Sequence, residues 1–157
     1  MNTSGRAFKL SISRKLACLV AVSIVGLAGI ATAWASSTTE VKIIKAKGGH
    51  ILGQQKGYAL YVYCSGANNN CKKGASGSNW YPMIAYHKPT AGAGINKRKL
   101  GTKKIGSHSV VTYYGQPLYR YKGDTKPGQT NGEAKPQGNG GWYVVSQFGQ
   151  PLPPSGY

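Results

Sequence analysis

Short runs rich in Val, Ile, Leu and Tyr recur between residues 41 and 147, and they are separated by segments rich in Gly, Asn, Lys and Pro. Runs of this length and composition beside glycine turns are typical of β-strands. No stretch of this region keeps the 3.6-residue period of an amphipathic helix over several turns. The pattern predicts strands at residues 41–47, 50–54, 58–64, 108–113, 118–122 and 142–147. The segments rich in Gly, Asn, Lys and Pro are predicted to be surface loops, at residues 65–79, 87–104 and 123–141.

The first 35 residues follow a different pattern. Residues 1–15 carry four basic residues and no acid, an apolar run follows over residues 16–33, and alanines occupy positions 31, 33 and 35. This order is typical of a bacterial secretory signal. We predict a signal peptide at 1–35, cleaved after Ala35 or, as second choice, after Ala33, and a single mature domain at 36–157. An uncleaved membrane anchor is the alternative, because 18 apolar residues reach the lower limit for a membrane span.

The mature part contains a tandem duplication. The shared pattern is G-x-H-x6-G-x-x-L-Y-x-Y, and its two copies lie 58 residues apart. Its positions are Gly48, His50, Gly57, Leu60, Tyr61 and Tyr63 in one copy and Gly106, His108, Gly115, Leu118, Tyr119 and Tyr121 in the other. A Trp-Tyr pair follows in each copy, at 80–81 and 142–143. We therefore predict a mainly β fold in which two tandem hairpin-based repeats, about 40–86 and 98–147, pack as one small pseudo-symmetric domain.

Two cysteines, Cys64 and Cys71, remain after the predicted signal, whereas Cys18 lies in the apolar run and would be removed with it. An even pair in an exported protein is more often a disulfide than a metal site. A zinc site would need two further ligands, and no C-x-x-C spacing supports one. We predict a Cys64–Cys71 disulfide, which for so short a loop stabilises the fold by about 2.5 kcal/mol. The protein is expected in the periplasm or outside the cell.

Positive charge dominates the composition. The chain has 20 Lys and Arg against 3 Asp and Glu, and residues 36–157 retain 16 basic residues and 3 acids, a formal charge of +13. Such a surface attracts anionic polymers. The densest cluster, which we call the basic segment, consists of Lys97, Arg98, Lys99, Lys103 and Lys104. We predict a partner among anionic envelope or extracellular polymers, with a membrane surface as the alternative, whereas export disfavours nucleic acid. An acidic habitat is a competing explanation for the scarcity of carboxylates.

Aromatic residues form a second group of candidates. Because side chains alternate along a strand, the tyrosines of Tyr-x-Tyr share one face in each copy. The aromatic set comprises Tyr61, Tyr63, Tyr119, Tyr121, Trp80 and Trp142. These rings either form the core, with polar tips that reach water, or line a groove in which a sugar or base stacks. A basic, Tyr-rich binding face would combine the second option with the charge.

Three further side chains could carry chemistry. His50 and His108 occupy equivalent repeat positions, so a metal- or redox-linked periplasmic protein is the alternative function, with the two imidazoles as ligands. Duplication alone also explains their equivalence. Asp124 ends a predicted strand, where it is either a turn cap or a ligand or catalytic acid. The sequence contains no G-x-S-x-G, H-E-x-x-H or phosphate-loop motif, so we expect a non-catalytic protein with no cofactor, and predict no oligomeric state.

The segment Tyr119-Arg120-Tyr121-Lys122-Gly123-Asp124 gives the chain a resemblance to a known bacterial family. The chain resembles the exported "secreted repeat of unknown function" proteins, also described as predicted lipoproteins with a Y-x-[FWY]-x-x-D motif. The resemblance covers about residues 48–152 and is strongest in the second copy. In the first copy Tyr61-Val62-Tyr63 is followed by Cys64-Ser65-Gly66, so the motif aspartate is absent. The resemblance implies the fold and export, and it implies no activity.

Overall fold

Residues 39–46, 49–66 and 70–152 are described by a computed structural model, and they fold mainly as β-structure. All of them lie in one compact unit, Ala35–Tyr157. The mainly β fold class is therefore confirmed. The predicted signal peptide and both predicted cleavage sites lie outside the described residues. In the described part of the chain, no helix has the length and apolar character needed to cross a membrane.

Three antiparallel-rich sheets contain the eleven strands of the described residues. The strands are β1 Glu40–Ala46, β2 Gly49–Gln54, β3 Tyr61–Ser65, β4 Trp80–Pro82, β5 Thr90–Ala91, β6 Leu100–Ile105, β7 His108–Tyr113, β8 Gln116–Pro117, β9 Tyr119–Tyr121, β10 Pro136–Gln137 and β11 Gly140–Val144. The central sheet has the order β10-β11-β3-β9-β4, and it is flanked by the sheets β2-β1-β5 and β6-β7-β8.

The structure corrects one predicted loop and shortens another. Residues 87–104, predicted to be a loop, contain β5, a 3-10 turn at Lys97–Lys99 and most of β6. Strand β6 was missed because Thr102, Lys103 and Lys104 are all exposed, so it lacks an alternating apolar face. It is an edge strand, and lysines on an edge strand oppose pairing with another chain. Residues 123–141 likewise contain β10 and the start of β11.

Tight turns connect the strands of each copy. Tyr114 and Gly115 link β7 to β8 with φ angles of 51° and 75°, as a two-residue turn of mirror-image type requires. The corresponding turn of the first copy is longer by one residue: the Gln54 amide donates to the Tyr58 carbonyl, and Gly57 has a φ of 82°. Because of this extra residue, positions before the turn correspond at a spacing of 59, as the pairs Ala46–Gly49 and Ile105–His108 show, and positions after it correspond at 58. His50 is therefore one residue out of register with His108, and their predicted equivalence holds in the sequence pattern alone.

Contacts between the two copies interleave them. The Leu52 amide of the first hairpin donates to the Val145 carbonyl (2.7 Å), which follows the second Trp-Tyr pair. The equivalent Val111 amide donates to the Met83 carbonyl (2.8 Å), which follows the first pair. In the central sheet Trp142 pairs with Tyr63, Trp80 pairs with Tyr121, and Tyr61 pairs with Tyr119. These matched contacts agree with the predicted duplication, while pseudo-symmetry of the whole domain stays a prediction.

The central sheet separates two hydrophobic clusters. Successive residues of β3 alternate between them, because side chains of a strand point to opposite faces. One cluster contains Leu60, Val62, Cys64, Val111 and Leu118, and the other contains Tyr61, Tyr119, Trp80, Trp142 and Val144. The tyrosine face is therefore packed against the first and second Trp-Tyr pairs, and each side of the sheet has its own core.

Candidate functional site

The aromatic residues predicted as a core or a stacking platform pack against one another. Trp80 and Trp142 stack with ring centroids 3.9 Å apart and an interplanar angle of 10°. Tyr61 meets Trp80 edge-on at 5.3 Å, and Tyr119 meets Trp142 edge-on at 5.0 Å. Trp142 is fully buried and Trp80 is 7% exposed. The rings therefore pack face to face and edge to face against one another. Together they form the hydrophobic core on the side of the central sheet that carries the tyrosines.

Half-buried tyrosines complete the stack at its sides. The Tyr63 ring lies 5.2 Å from Trp142, and the Tyr121 ring lies 4.7 Å from Trp80. The Tyr63 hydroxyl donates to the Gln137 carbonyl at 2.7 Å, and the Trp142 Nε1 donates to the Gln137 Oε1 at 3.0 Å. Each polar tip thus finds a protein partner, as buried Tyr and Trp require.

Asp124 lies inside this aromatic layer and joins the two copies. Its Oδ2 accepts a 2.7 Å hydrogen bond from the Tyr61 hydroxyl, and its Oδ1 accepts a 2.8 Å bond from the Asn131 amide. The Gly132 amide donates to the same Tyr61 hydroxyl at 3.2 Å. Asp124 is only 3% exposed, so its carboxylate clamps the loop after β9 onto the first copy.

Burial dominates the electrostatics of this pair. Desolvation raises the pKa of Asp124 above its ordinary value, although the hydrogen bonds from Tyr61 and Asn131 and the charge of Arg120 act in the opposite direction. Burial, followed by the hydrogen bond to Asp124, raises the pKa of Tyr61. Both oxygens of Asp124 are occupied by protein donors, which is the geometry of a structural cap and leaves no accessible acid for proton transfer.

A disulfide secures the loop after β3 in the first copy. Tyr119 is the counterpart of Tyr61, and its hydroxyl accepts a 3.0 Å bond from the Ala75 amide, but Gly66 stands where the second copy has Asp124. Cys64 and Cys71 are bonded, which confirms the predicted disulfide. Both cysteines pack in the cluster of Val62 and Leu118, on the face of the central sheet opposite to Tyr61. The first copy thus has a local covalent clamp on this loop, whereas Asp124 clamps the loop after β9.

Replacing both Cys64 and Cys71 with serine should lower the free energy of unfolding by about 2.5 kcal/mol, because the short loop gains conformational freedom in the unfolded chain. Urea unfolding of the mature protein, with and without a thiol reductant, measures this change. The reductant should destabilise the wild type and leave the double variant unchanged. Equal stability of the wild type and the double variant would contradict the clamp.

The structure places the basic segment on one exposed stretch of backbone. Lys97, Arg98 and Lys99 form the 3-10 turn, and Lys103 and Lys104 follow on the edge strand β6. At 3.3–3.4 Å per strand residue, Lys99 and Lys104 are separated by roughly 17 Å. The Lys103 Nζ donates to the Lys72 carbonyl at 2.8 Å, and the Lys99 Nζ lies 5.3 Å from the Tyr114 ring centroid. The five cations are thus spread along an extended stretch of chain, with Lys103 and Lys104 on opposite faces of β6.

The two histidines lie on different hairpins. His50 is in β2 and His108 begins β7, and both are exposed. These strands belong to different three-stranded sheets. No group of three or more His, Cys, Asp or Glu side chains suited to a metal ion occurs among the described residues. Metal binding by this pair stays a prediction.

A groove that the sequence analysis did not identify lies between the two copies. It has a volume of about 400 Å³, and we call it the Arg120 groove. Its lining includes Glu40, Gln54, Lys56, Tyr81, Tyr86 and Arg120. Tyr81 is 48% exposed and Tyr86 is 80% exposed, so these rings are accessible, unlike those of the aromatic core. The repeat could have indicated this groove from the sequence, because Arg120 of the second copy stands where the first copy has the buried Val62.

These features describe a small, basic, disulfide-bonded, mainly β protein. Residues 94–146 match a family model described as a secreted repeat of unknown function. The predicted resemblance is therefore confirmed over those residues, which contain the motif from Tyr119 to Asp124 and the second Trp-Tyr pair. The family description supports an exported protein. Neither a curated protein nor a solved structure matches the chain.

Proposed function

We propose that this exported protein is a non-catalytic module of the periplasm or the cell exterior that holds an anionic polymer by charge. The contact surface is the basic segment, Lys97, Arg98, Lys99, Lys103 and Lys104. All five side chains are exposed, and Lys103 and Lys104 lie on the edge strand β6. Cations spread along an extended stretch of chain suit a linear polyanion, which can meet several of them in succession.

The positions of the three acidic residues are the main observation that supports this proposal. The sequence has only three acids, and two of them serve the interior. Asp124 is buried against Tyr61, and the Glu133 Oε2 accepts a 2.7 Å hydrogen bond from the Val144 amide. Three acids are too few to offset the sixteen basic residues of 36–157. Because neighbouring carboxylates would normally screen lysines, this surface keeps an almost uncompensated positive field.

The burial of the aromatic core limits which side chains can contact the anionic polymer. The rings of Trp80, Trp142, Tyr61 and Tyr119 have no free face for a ligand, so the aromatic motif supports the fold and contributes no stacking to the basic segment. Binding along this edge would rest on charge alone. It should therefore be weak for short ligands, strong for long ones, and sensitive to salt.

We expect residues 36–157 to bind heparin, used as a model polyanion, with an affinity that falls steeply as salt rises, because each neutralised anion releases a counterion. Changing all five residues of the basic segment to glutamine should reduce the slope of log affinity against log salt by about three or more. Affinity chromatography and calorimetry at several salt concentrations measure the slope.

A charge-matched control variant distinguishes the contribution of the basic segment to binding from that of the net charge. Glutamine at five exposed lysines elsewhere gives the same charge change: Lys45, Lys88, Lys122, Lys126 and Lys135. This control should retain most of the wild-type slope. A wild type whose retention ignores salt, or a control that loses as much as the basic-segment variant, would refute the proposal.

A further inference from the structure

We infer that the Arg120 groove binds an acidic sugar residue, with the guanidinium of Arg120 on the sugar carboxylate and the rings of Tyr81 and Tyr86 against the sugar. The inference deepens the proposed function and rests on it, since it names the chemical class of the anionic polymer. The basic segment would hold the length of the chain, and the groove would recognise one unit of it.

Four separate parts of the fold build the groove. Glu40 begins β1, Gln54 ends β2 and leads into the turn that carries Lys56, Tyr81 lies in β4, and Arg120 lies in β9. Tyr81 and Arg120 are direct cross-strand partners, so their side chains share one face of the central sheet. Secondary structure therefore fixes the two central groups. The volume of about 400 Å³ falls in the range of small-molecule sites.

The protein does not use all the hydrogen-bond donors of Arg120. Its guanidinium lies over the Tyr58 ring at 4.3 Å from the centroid, and its Nε is buried without a hydrogen-bond partner. A buried donor without a partner is costly, and the guanidinium that contains it belongs to a side chain lining the groove. Arg is suited to this task because its planar fork can donate two parallel hydrogen bonds to a carboxylate. The charge of Arg120 acts to lower the pKa of Asp124. The carboxylate oxygens of Asp124, however, already accept hydrogen bonds from Tyr61 and Asn131.

Exposed aromatic rings and amides give the groove its second recognition element. Tyr81 and Tyr86 are among only three exposed large hydrophobic side chains in the described residues. Each ring presents an apolar face with a polar tip, which suits a ligand that is apolar on its ring face and polar at its edge. Gln54 and Gln55 add amide donors and acceptors for hydroxyl groups. A pyranose that carries a carboxylate combines all of these partners.

Comparison of the two copies shows that the groove has no counterpart at the equivalent strand pair. Arg120 and Tyr81 have Val62 and Tyr143 as counterparts, by the spacings of 58 and 62 residues. Val62 is fully buried, and Tyr143 packs against the same hydrophobic cluster. The first-copy position is thus closed core, whereas the second-copy position is open and charged. Stability of the fold does not require a cation here.

The charge of the lining selects a single anionic group. Lys56 and Arg120 carry positive charge and Glu40 carries negative charge, which leaves one net positive charge. A monoanionic unit matches that balance, and a doubly charged phosphate group would meet Glu40 with more repulsion. Shape and charge therefore favour a uronate-type residue over a phosphate.

The test uses residues 36–157 and three probes: trigalacturonate, the neutral trisaccharide maltotriose and inorganic phosphate. Trigalacturonate should bind in calorimetry, and the other two should bind at least tenfold more weakly. Arg120→Gln should weaken trigalacturonate binding by about tenfold to a hundredfold, as expected for a lost charged hydrogen bond. Tyr86→Ala, at an 80% exposed position where folding is not at risk, should weaken it by about fivefold.

Matched variants serve as controls within the same chain. Lys126→Gln removes an exposed cation outside both the groove and the basic segment, and Phe148→Ala removes a 65% exposed ring outside the groove. Neither should change trigalacturonate binding by more than about twofold. Equal binding of trigalacturonate and phosphate, or of trigalacturonate and maltotriose, would overturn the inference. Unchanged binding in both folded groove variants would also overturn it.

The two proposals fail in different ways. If heparin binding remains salt-sensitive and dependent on the basic segment while trigalacturonate does not bind, the inference about the groove is wrong and the proposed function stands. If trigalacturonate binds through Arg120 while the basic-segment variant keeps the wild-type salt slope, the groove is a sugar site and the proposed function is wrong.

Discussion

Replacing Trp142 with alanine should lower the free energy of unfolding by about 3–5 kcal/mol, which is the range for removing a large buried aromatic ring. Trp142 is fully buried, stacks on Trp80 and contacts the rings of Tyr63 and Tyr119. Its loss would open a cavity at the centre of the tyrosine side and leave Gln137 without its indole donor. A domain of this size has a total margin of only about 5–15 kcal/mol, so the variant should be close to unfolding at physiological temperature.

Urea unfolding followed by far-ultraviolet circular dichroism measures this loss. The near-ultraviolet spectrum gives an independent readout, because the stacked Trp80–Trp142 pair should produce a strong signal that disappears in the variant. Tyr86→Ala is the control: its ring is 80% exposed, so we expect a change within about 0.5 kcal/mol. A loss below about 1 kcal/mol for Trp142→Ala would contradict the packing of this core.

Local patterns were sufficient to predict the hairpins. In β2, β7 and β9 short runs of apolar or aromatic residues lie beside turns that contain glycine, so composition and turn chemistry agreed. Strand β6 failed that test because its outward residues are Thr and Lys. The duplication held the missing information: β6 is the counterpart of β1, and a strand in one copy implies a strand in the other. Pairing across a sheet can impose a strand where composition indicates a loop.

The site was harder to predict than the fold, because it depends on which residues meet across the two copies. Interleaving brings Tyr81 of the first copy beside Arg120 of the second, and neither residue has a notable local motif. The aromatic motif, by contrast, was visible in the sequence, but its two interpretations differ only in burial. That choice depends on the Trp80–Trp142 stack, a contact between residues more than sixty positions apart. Linear patterns contain no information about such a contact.

Comparison of the two copies also gives a structural reason for the scarcity of acidic residues. The motif acid occurs once, as Asp124, whereas the first copy has Gly66 at that position and a disulfide in the adjoining loop. A disulfide does not titrate, and Asp124 is buried in a way that favours its protonated form. Both clamps would therefore keep their function at low pH. An acidic external medium and a polyanionic partner are compatible explanations of one composition.

Asp124→Ala should lower the free energy of unfolding by about 2–4 kcal/mol, because it leaves two buried donors, the Tyr61 hydroxyl and the Asn131 amide, without their acceptor. Tyr61→Phe should cost about 1–3 kcal/mol, and the double variant should cost less than the sum of both, since the two side chains share one hydrogen bond. Tyr121→Phe is the matched control, because Tyr121 is half-buried and contacts Trp80 through its ring. Additive effects of the two substitutions would show that the clamp carries no coupling.

The pH dependence of Asp124 should distinguish this clamp from an ordinary surface ion pair. Because burial raises its pKa in the folded state above 3.8, the folded protein binds the proton more tightly than the unfolded chain does. The stability that this difference contributes is fully present below the unfolded pKa and is lost as pH rises through the folded pKa. The stability difference between wild type and Asp124→Asn should therefore be largest near pH 3 and smaller at pH 7, measured by urea unfolding across that range. A difference that grows with pH would mean that attraction to Arg120 outweighs burial, and that the aspartate is held as a charged group.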